Sequence, residues 1–560
     1  MKRFFSYVLV LSIFSLACQT LMGPNISPES PIAIPTLETQ EPLSTDNTEP
    51  TSVPIADSYL IPDMQARLDE LGGTPCKNAA SFTCVTITVP LDHFDSANPE
   101  TIEVVFAVAT ARGERKGMYV QAFPGGPGGE GISYASTGYF SSSVLASYDV
   151  VFFDQRGLGV SNPLECKTAY ANYFLGFINS DDSIGEEGYD TPAEQQDATQ
   201  KAETFVQKCI DEIGIDPAKL KFFNTDQVAE DIEAFRQAIG DDKFMLYGVS
   251  YGTSVAQTYT RVHADRLLGL ILDGTQDTTL SGNEIAFSQM EAFNVVLYEV
   301  FKACDANDGC SKGMPNGSQA AYDELAQKLA DAPIAFEYPV TSQRKEKHFF
   351  TFNMLDFTVS YQMYAQSSRF DLMRAIADAK TGNMIPLAKL FYENAHIDPA
   401  SGEYMGSPDF SYTLYYIVWC SDDAYYSGTS EERSAQLFQE GQKLVGLIPR
   451  LDLDVFVLGL TCAYWPSAPT NPKAVEPLKA EGVPTFVLNA TLDPATPFHE
   501  AKTVYENLDN GYLLYVEGGP HGILGWGYSC PDFIIDDFLV NGILPDQRET
   551  RCDWGNAIIQ

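Results

Sequence analysis

The chain is short of cations. Of its 560 residues, 35 are Lys or Arg against 75 Asp or Glu, a formal net charge of −40 at pH 7. A nucleic-acid binder must replace the counterions of phosphate with its own positive charges, so nucleic acid is excluded as a partner. The same deficit argues against a basic face for anionic lipid headgroups. Long apolar runs are also missing: beyond the N-terminus no stretch of 18 apolar residues occurs, which excludes a multi-spanning membrane protein. The cysteines make no CxxC pair and no His/Cys cluster, so neither a structural zinc site nor a cofactor is expected. There is no internal repeat. Histidine is scarce, with six in the chain, which narrows any search for a catalytic base.

What is present suffices for a large core. Hydrophobic residues make up 44% and charged residues 20%. The length suits two to four domains, or one core with insertions.

The first residues read as an address. Lys2 and Arg3 precede the mostly apolar run Phe4 to Ala17, too short to cross a bilayer of roughly 30 Å but suited to a signal peptide. Ser15-Leu16-Ala17 supplies a small-x-small pattern before Cys18, predicting a signal peptide over 1–17. A cysteine there resembles a bacterial lipoprotein signal, although Ser15 stands where a branched aliphatic residue is usual. The expectation is a lipid on Cys18 and a membrane-anchored protein of the bacterial cell envelope, on the extracytoplasmic side. Seven prolines among Ser, Thr, Glu and Asn follow, and 18–60 reads as an extended, disordered tether.

Eleven cysteines remain to be explained. Setting Cys18 aside leaves ten, an even number in an exported chain, which predicts disulfides. Sequence order suggests neighbour pairing: 76–84, 166–209, 304–310, 420–462 and 530–552.

From about residue 60, apolar runs of strand length alternate with helical stretches. Ile102–Ala111, Met118–Phe123, Val150–Phe153, Phe244–Tyr247, Leu267–Leu272, Thr485–Asn489 and Tyr512–Val516 read as strands. Short continuous apolar strands separated by helices indicate a mainly parallel sheet with helices on both faces, an α/β fold. Val228, Ile232, Phe235 and Ile239 put one apolar stripe on a helix over Asn224–Ile239. Residues 276–440 interrupt the strands with helical, aromatic-rich sequence. They are expected to form a helical cap between two parts of the core, 61–275 and 441–560.

The strongest local motif is Gly248-Val249-Ser250-Tyr251-Gly252, a GxSxG between a strand-like run and a helix-like stretch. That context belongs to a nucleophile elbow, with Ser250 as the nucleophile. A serine hydroxyl needs a base to take its proton. In the chain order serine, acid, histidine, His521 is the base; it lies in the glycine-flanked loop after Tyr512–Val516. His499 is the rival, placed where a helix begins. Asp493, just past a late strand, is the orienting acid; Asp273 also ends a strand but is expected to be structural, holding its loop to the cap. A tetrahedral oxyanion needs two N–H donors. Tyr251 supplies one, and the glycine loop 123–129 the other, with Gly126 favoured and Gly125 the alternative.

These motifs resemble the secreted tripeptidyl-aminopeptidase and prolyl-aminopeptidase family of α/β-hydrolase serine peptidases. The resemblance rests on Gly125-Gly126-Pro127-Gly128-Gly129, Asp154-Gln155-Arg156-Gly157 with Gly159 and Ser161, Gly248 to Thr253, Cys462-Ala463-Tyr464-Trp465-Pro466, and the Cys530 to Cys552 region. Pro124 replaces the histidine that the prolyl branch carries there, which favours the tripeptidyl branch. The family implies the α/β-hydrolase fold and an exopeptidase acting on peptides with a free N-terminus. Its substrate ammonium requires a carboxylate near the cap, for which Asp422 and Asp423 are the candidates. The residues alone define a serine hydrolase of acyl compounds; an esterase or lipase with the same triad, or a non-catalytic binding lipoprotein, stays open.

Overall fold

The computed structural model describes residues 58–560 except 78, 123–124, 181–188, 190, 424, 446–453, 470–474, 526–528, 554–557 and 559–560. The expected signal peptide, Cys18 and nearly all of the tether lie outside the described residues.

The described strands are β1 (Thr74–Pro75), β2 (Thr83–Pro90), β3 (Thr101–Ala109), β4 (Gly117–Ala122), β5 (Tyr148–Asp154), β6 (Phe244–Val249), β7 (Leu267–Asp273), β8 (Ile334–Pro339), β9 (Lys345–Phe350), β10 (Thr485–Ala490), β11 (Gly511–Val516) and β12 (Glu549–Cys552). Among them, ten form one sheet in the order β1-β2-β3-β5-β4-β6-β7-β10-β11-β12. From β5 to β12 every neighbouring pair is parallel, whereas β1, β2 and β3 pair antiparallel. Burial explains the difference. Every residue of β4, β5 and β10 is buried, as both faces of a helix-covered parallel sheet require, while β2 alternates buried and exposed along its second half.

The helix Thr225–Ile239 begins at Asn224, whose side chain accepts from Gln227 N, and stops at Gly240 in left-handed conformation. All four residues of its apolar stripe are buried, and Phe235 stacks on Phe106 of β3 at 4.1 Å between centroids.

Between β7 and β10 the chain leaves the sheet. This insertion includes the helices Gly282–Asp305, Ser318–Asp331, Phe352–Gln362, Gln366–Lys380, Ile385–Asn394, Tyr412–Asp422, Ser430–Val445 and Asp454–Tyr464. The insertion, expected to be mainly helical, also holds β8 and β9, an antiparallel hairpin with alternating exposure that suits a partly solvated ribbon. The expected boundary at 440 cuts through the helix Ser430–Val445. The helix Asp454–Tyr464, assigned to the C-terminal core, instead packs on Ser430–Val445, Tyr412–Asp422 and Gly282–Asp305. It also packs on Pro192–Ile213, which together with Lys167–Ile178 leaves the core between β5 and β6 and joins the same helical mass.

The five described disulfides pair Cys76–Cys84, Cys166–Cys209, Cys304–Cys310, Cys420–Cys462 and Cys530–Cys552. Cys420–Cys462 joins two helices of the insertion to each other, so it does not tie a cap to the core.

Candidate active site

Ser250 sits where β6 turns into the helix Tyr251–His263, at φ 57° and ψ −129°. A non-glycine residue there is strained, and its surroundings hold it in place. A Cβ on Gly248 would lie 2.2 Å from Gly252 O, and one on Gly252 would lie 1.9 Å from Ala122 O. The turn therefore closes only with glycine at both positions. The Ser250 amide donates to Asp273 O at 2.9 Å, and Thr253 Oγ1 donates to Ser250 O at 2.6 Å. The start of the helix directs its partial positive charge toward the serine.

The glycine loop crosses this turn closely. A Cβ on Gly125 would stand 2.4 Å from Ser250 Cβ and 3.1 Å from Tyr251 N, so no side chain fits there. Gly126 and Gly128, both at positive φ, lie against the Phe410 ring, and Gly128 O accepts from Ser411 N at 2.8 Å. The loop is thus pinned between the elbow and the insertion.

His521 and Asp493 form a buried pair. His521 Nδ1 lies 2.9 Å from both Asp493 oxygens. Asp493 Oδ1 also accepts from the amides of Ala495 and Thr496, and Thr496 Oγ1 donates to Oδ2. These bonds aim the carboxylate and assign the Nδ1 proton to its side of the ring. Burial works against a charged imidazole, but the charge and hydrogen bond of Asp493, with Asp273 behind it, outweigh that and raise His521 above its ordinary value. The His521 amide donates to Tyr364 O, and the Tyr364 ring meets the imidazole edge-on at 5.5 Å between centroids. His521 Nε2 is buried with no hydrogen-bond partner among the described residues, so it is available to a serine proton or a leaving group. Among the described residues it makes no bond to Ser250 Oγ, and such contacts commonly tighten only with substrate bound. The next residue, Gly522, approaches Val249, the neighbour of Ser250: its Cβ position is 3.4 Å from Val249 Cγ2.

Asp273 takes a part different from the one expected. Its carboxylate accepts from Ile523 N at 2.8 Å, Leu524 N at 2.9 Å and Tyr247 OH at 3.2 Å. It therefore holds the histidine loop rather than the insertion. Burial lifts its carboxyl to about 6, although the two amides pull it down.

The remaining sequence candidates separate. His499 Nε2 meets Ser288 Oγ at 3.1 Å, a packing contact away from the His521 pair. Asp422 ends the helix Tyr412–Asp422, and its oxygens accept from Thr225 N at 2.8 Å and Thr225 Oγ1 at 2.6 Å. Thr225 Oγ1 in turn lies 2.6 Å from Tyr251 OH. Burial drives the Asp422 carboxyl up to about 8, against the pull of both Thr225 bonds. Asp423 stands beside the start of Gly282–Asp305, its Cβ 3.2 Å from where a Gly282 Cβ would be.

Three residues escaped the sequence reading. Thr496 could have been found, since a polar residue three positions after an Asp commonly closes a local turn. Tyr364 carries no sequence signal for its contact with His521. Arg369 is wholly buried and donates to Met363 O and Leu492 O, bracing the chain just before Asp493.

A parallel sheet with a serine elbow, a late acid and a last-loop histidine defines an α/β-hydrolase. Residues 122–310 match the alpha/beta hydrolase fold family, and residues 454–552 match the TAP-like protein family. The serine protease Hip1 of Mycobacterium tuberculosis is 28% identical over 498 residues, covering 84% of this chain and 89% of its own. Carboxylesterase B of the same species is 27% identical over 483 residues, covering 84% and 86%. The tripeptidyl aminopeptidase of Streptomyces lividans is 23% identical over 508 residues, covering 84% and 83%. The chain is similar to tripeptidyl-aminopeptidase-like α/β-hydrolases, and it is a serine hydrolase.

Proposed function

We propose that this protein is an exported serine aminopeptidase that releases short N-terminal peptides, of the tripeptidyl type, or single residues. The observation that carries the chemistry is the buried Asp493–His521 pair, with Nε2 left unpartnered in the loop beside the elbow of Ser250. Ser250 Oγ attacks the scissile carbonyl carbon and its proton passes to His521 Nε2, while Asp493 stabilises the imidazolium. The oxyanion takes N–H bonds from Tyr251 and from the glycine loop, Gly126 with Gly125 as the alternative. His521 then protonates the leaving amine, and water attacks the acyl-enzyme with His521 as base.

Peptide substrates with a free N-terminus are supported by the names of two relatives and by Asp422, a half-buried carboxyl of the insertion joined through Thr225 to the side chain of Tyr251. The insertion serves as the cap that limits how far a substrate extends. Acetylation removes the ammonium charge that would hold the Asp422 carboxyl ionised against its burial, and the ion pair is lost. Free-amine tripeptide chromogenic amides should therefore be cleaved at least ~10²-fold better than their N-acetyl forms, about 2.7 kcal/mol in transition-state binding. Equal rates would contradict the exopeptidase reading. Changing Asp422 or Asp423 to Asn should shrink the gap.

The likeness to a carboxylesterase over the same length supports an esterase as the second reading. Fast turnover of simple acyl esters with no peptide cleavage would establish that instead. For location, the reading is a lipid on Cys18 after removal of 1–17, holding the enzyme at the envelope membrane. Intact-mass analysis of native protein should find a lipid-sized increment on Cys18; an unmodified Cys18 would contradict the anchor.

A further inference from the structure

The helix Phe352–Gln362 of the insertion ends in a turn that touches the catalytic pair. The last carbonyls of a helix lack intrahelical partners, so the groups that donate to them decide what the turn holds. Ser368 Oγ shares its proton between Gln362 O at 2.9 Å and Ala365 O at 2.7 Å. Tyr364 O accepts the His521 amide at 3.0 Å. Met363 O accepts Arg369 Nε at 2.9 Å and Nη2 at 2.7 Å. The same Nη2 reaches Leu492 O at 3.1 Å, one residue before Asp493. Leu492 N in turn donates to Gly518 O at 3.0 Å, in the loop that leads to His521. One guanidinium therefore joins the turn that holds His521 to the residue that precedes Asp493.

Arg369 is wholly buried on the helix Gln366–Lys380. Among the described residues its N–H groups bond backbone carbonyls and no carboxylate. Burial lowers it to about 10, so it stays charged at neutral pH, and the charge that works against this lowering is Asp493. A buried cation is costly unless an anion stands near it. Here that anion is the acid that orients His521.

We propose that Arg369 is a positioning residue for the Asp493–His521 pair, through which the insertion fixes acid and base relative to each other and to Ser250. It touches neither substrate nor reacting atoms. Without its planar fork, Met363 O and Leu492 O lose their donors. The turn at Tyr364 is then free to drift from His521, and the chain before Asp493 loses its brace. Either shift moves Nε2 away from the serine proton it must take, and a small misplacement of a catalytic group is expensive in rate. The insertion thus belongs to the frame of the catalytic site as well as covering it. The inference rests on the serine-hydrolase reading and is independent of whether the substrate is a peptide or an ester.

The test compares the full chain with Arg369→Met, Arg369→Lys and Ser368→Ala. The readouts are the rate of fluorophosphonate labelling and the kcat and KM for a chromogenic acyl substrate that wild type turns over. Rates are expressed per site labelled at completion, so loss of folded protein does not enter them. Arg369→Met should lower kcat and the labelling rate ~10²-fold each, with KM within ~3-fold, the signature of a group that acts on the transition state alone. Arg369→Lys keeps the charge and loses the fork, and should fall ~10-fold in both rates; it carries the test if Arg369→Met does not fold. Ser368→Ala leaves the Arg369 bonds in place and should cost less than Arg369→Lys. Unchanged kcat and labelling in a folded Arg369 variant, a change in KM alone, or a larger loss in Ser368→Ala than in Arg369→Lys overturns the proposal. A wild type that takes no label overturns the serine-hydrolase reading and this proposal with it, so the two failures are told apart.

Discussion

The backbone carbonyl of Asp273 accepts the amide of Ser250 at 2.9 Å. The carboxylate of the same residue accepts the amides of Ile523 and Leu524, which follow His521 by two and three positions. One residue at the end of β7 therefore sets the nucleophile turn with its main chain and the histidine loop with its side chain. Asp273 touches neither substrate nor reacting atom and acts as a positioning residue.

Replacing Asp273 by Asn keeps the carbonyl contact to Ser250 but loses one acceptor for the histidine loop. The expected result is a ~10- to 10²-fold fall in kcat/KM, the scale of a small misplacement of a catalytic group. A merely structural role would leave the pH profile alone. Because the Asp273 charge helps to raise His521, the acid limb of kcat/KM should also move to lower pH in Asp273→Asn.

The pH dependence of the wild type follows from His521. Only the neutral imidazole can take the serine proton, and its folded value lies above the ordinary one, so activity should rise as pH rises through that raised value. Asp493→Asn removes the main cause of the shift. Its kcat/KM should fall by ~10³-fold or more through loss of the correct tautomer, and its acid limb should lie below that of wild type. The measurement is the pH profile of kcat/KM for both proteins.

Stability should depend on pH through Glu500. This buried carboxyl accepts from Ser288 Oγ at 2.5 Å and Asp277 N at 3.0 Å, joining the helix Phe498–Glu506 to the first helix of the insertion, Gly282–Asp305. Burial lifts it to about 8 in spite of those bonds. With the folded value above the unfolded one, the folded form holds the proton more tightly. Stability from this group is full below the unfolded value, near 4.5, and falls as pH rises to about 8. Asp422 and His521 act in the same direction. Denaturant unfolding should show wild type losing stability between pH 5 and pH 8.5, and Glu500→Gln should lose at least ~1 kcal/mol less, the worth of about one pKa unit.

Much of this was legible in the sequence because it is local. The glycines around Ser250 announce a tight turn, continuous apolar runs announce buried strands, and His521 follows the strand that presents it. Cysteine pairing followed sequence order because each bridge joins elements close in the chain. The role of Asp273 was not legible: its partners Ile523 and Leu524 are 250 and 251 residues away, and only the closed sheet brings β7 beside β10 and the loop after β11. Helices Lys167–Ile178 and Pro192–Ile213 looked like core because nothing in their amphipathic pattern states which surface they meet. The hairpin of β8 and β9 was hidden by charged residues on its exposed face, such as Glu337 and Lys347, which pair across the ribbon.

The most direct test of the account is covalent labelling by a fluorophosphonate followed by peptide mapping. A poised serine should react to one equivalent, with the adduct on Ser250. Ser250→Ala should take no label and lose peptide and ester turnover by ~10³-fold or more, and His521→Ala should label far more slowly because the hydroxyl has lost its base. An adduct on another residue, or a folded Ser250→Ala protein that turns over substrate at the wild-type rate, would contradict it.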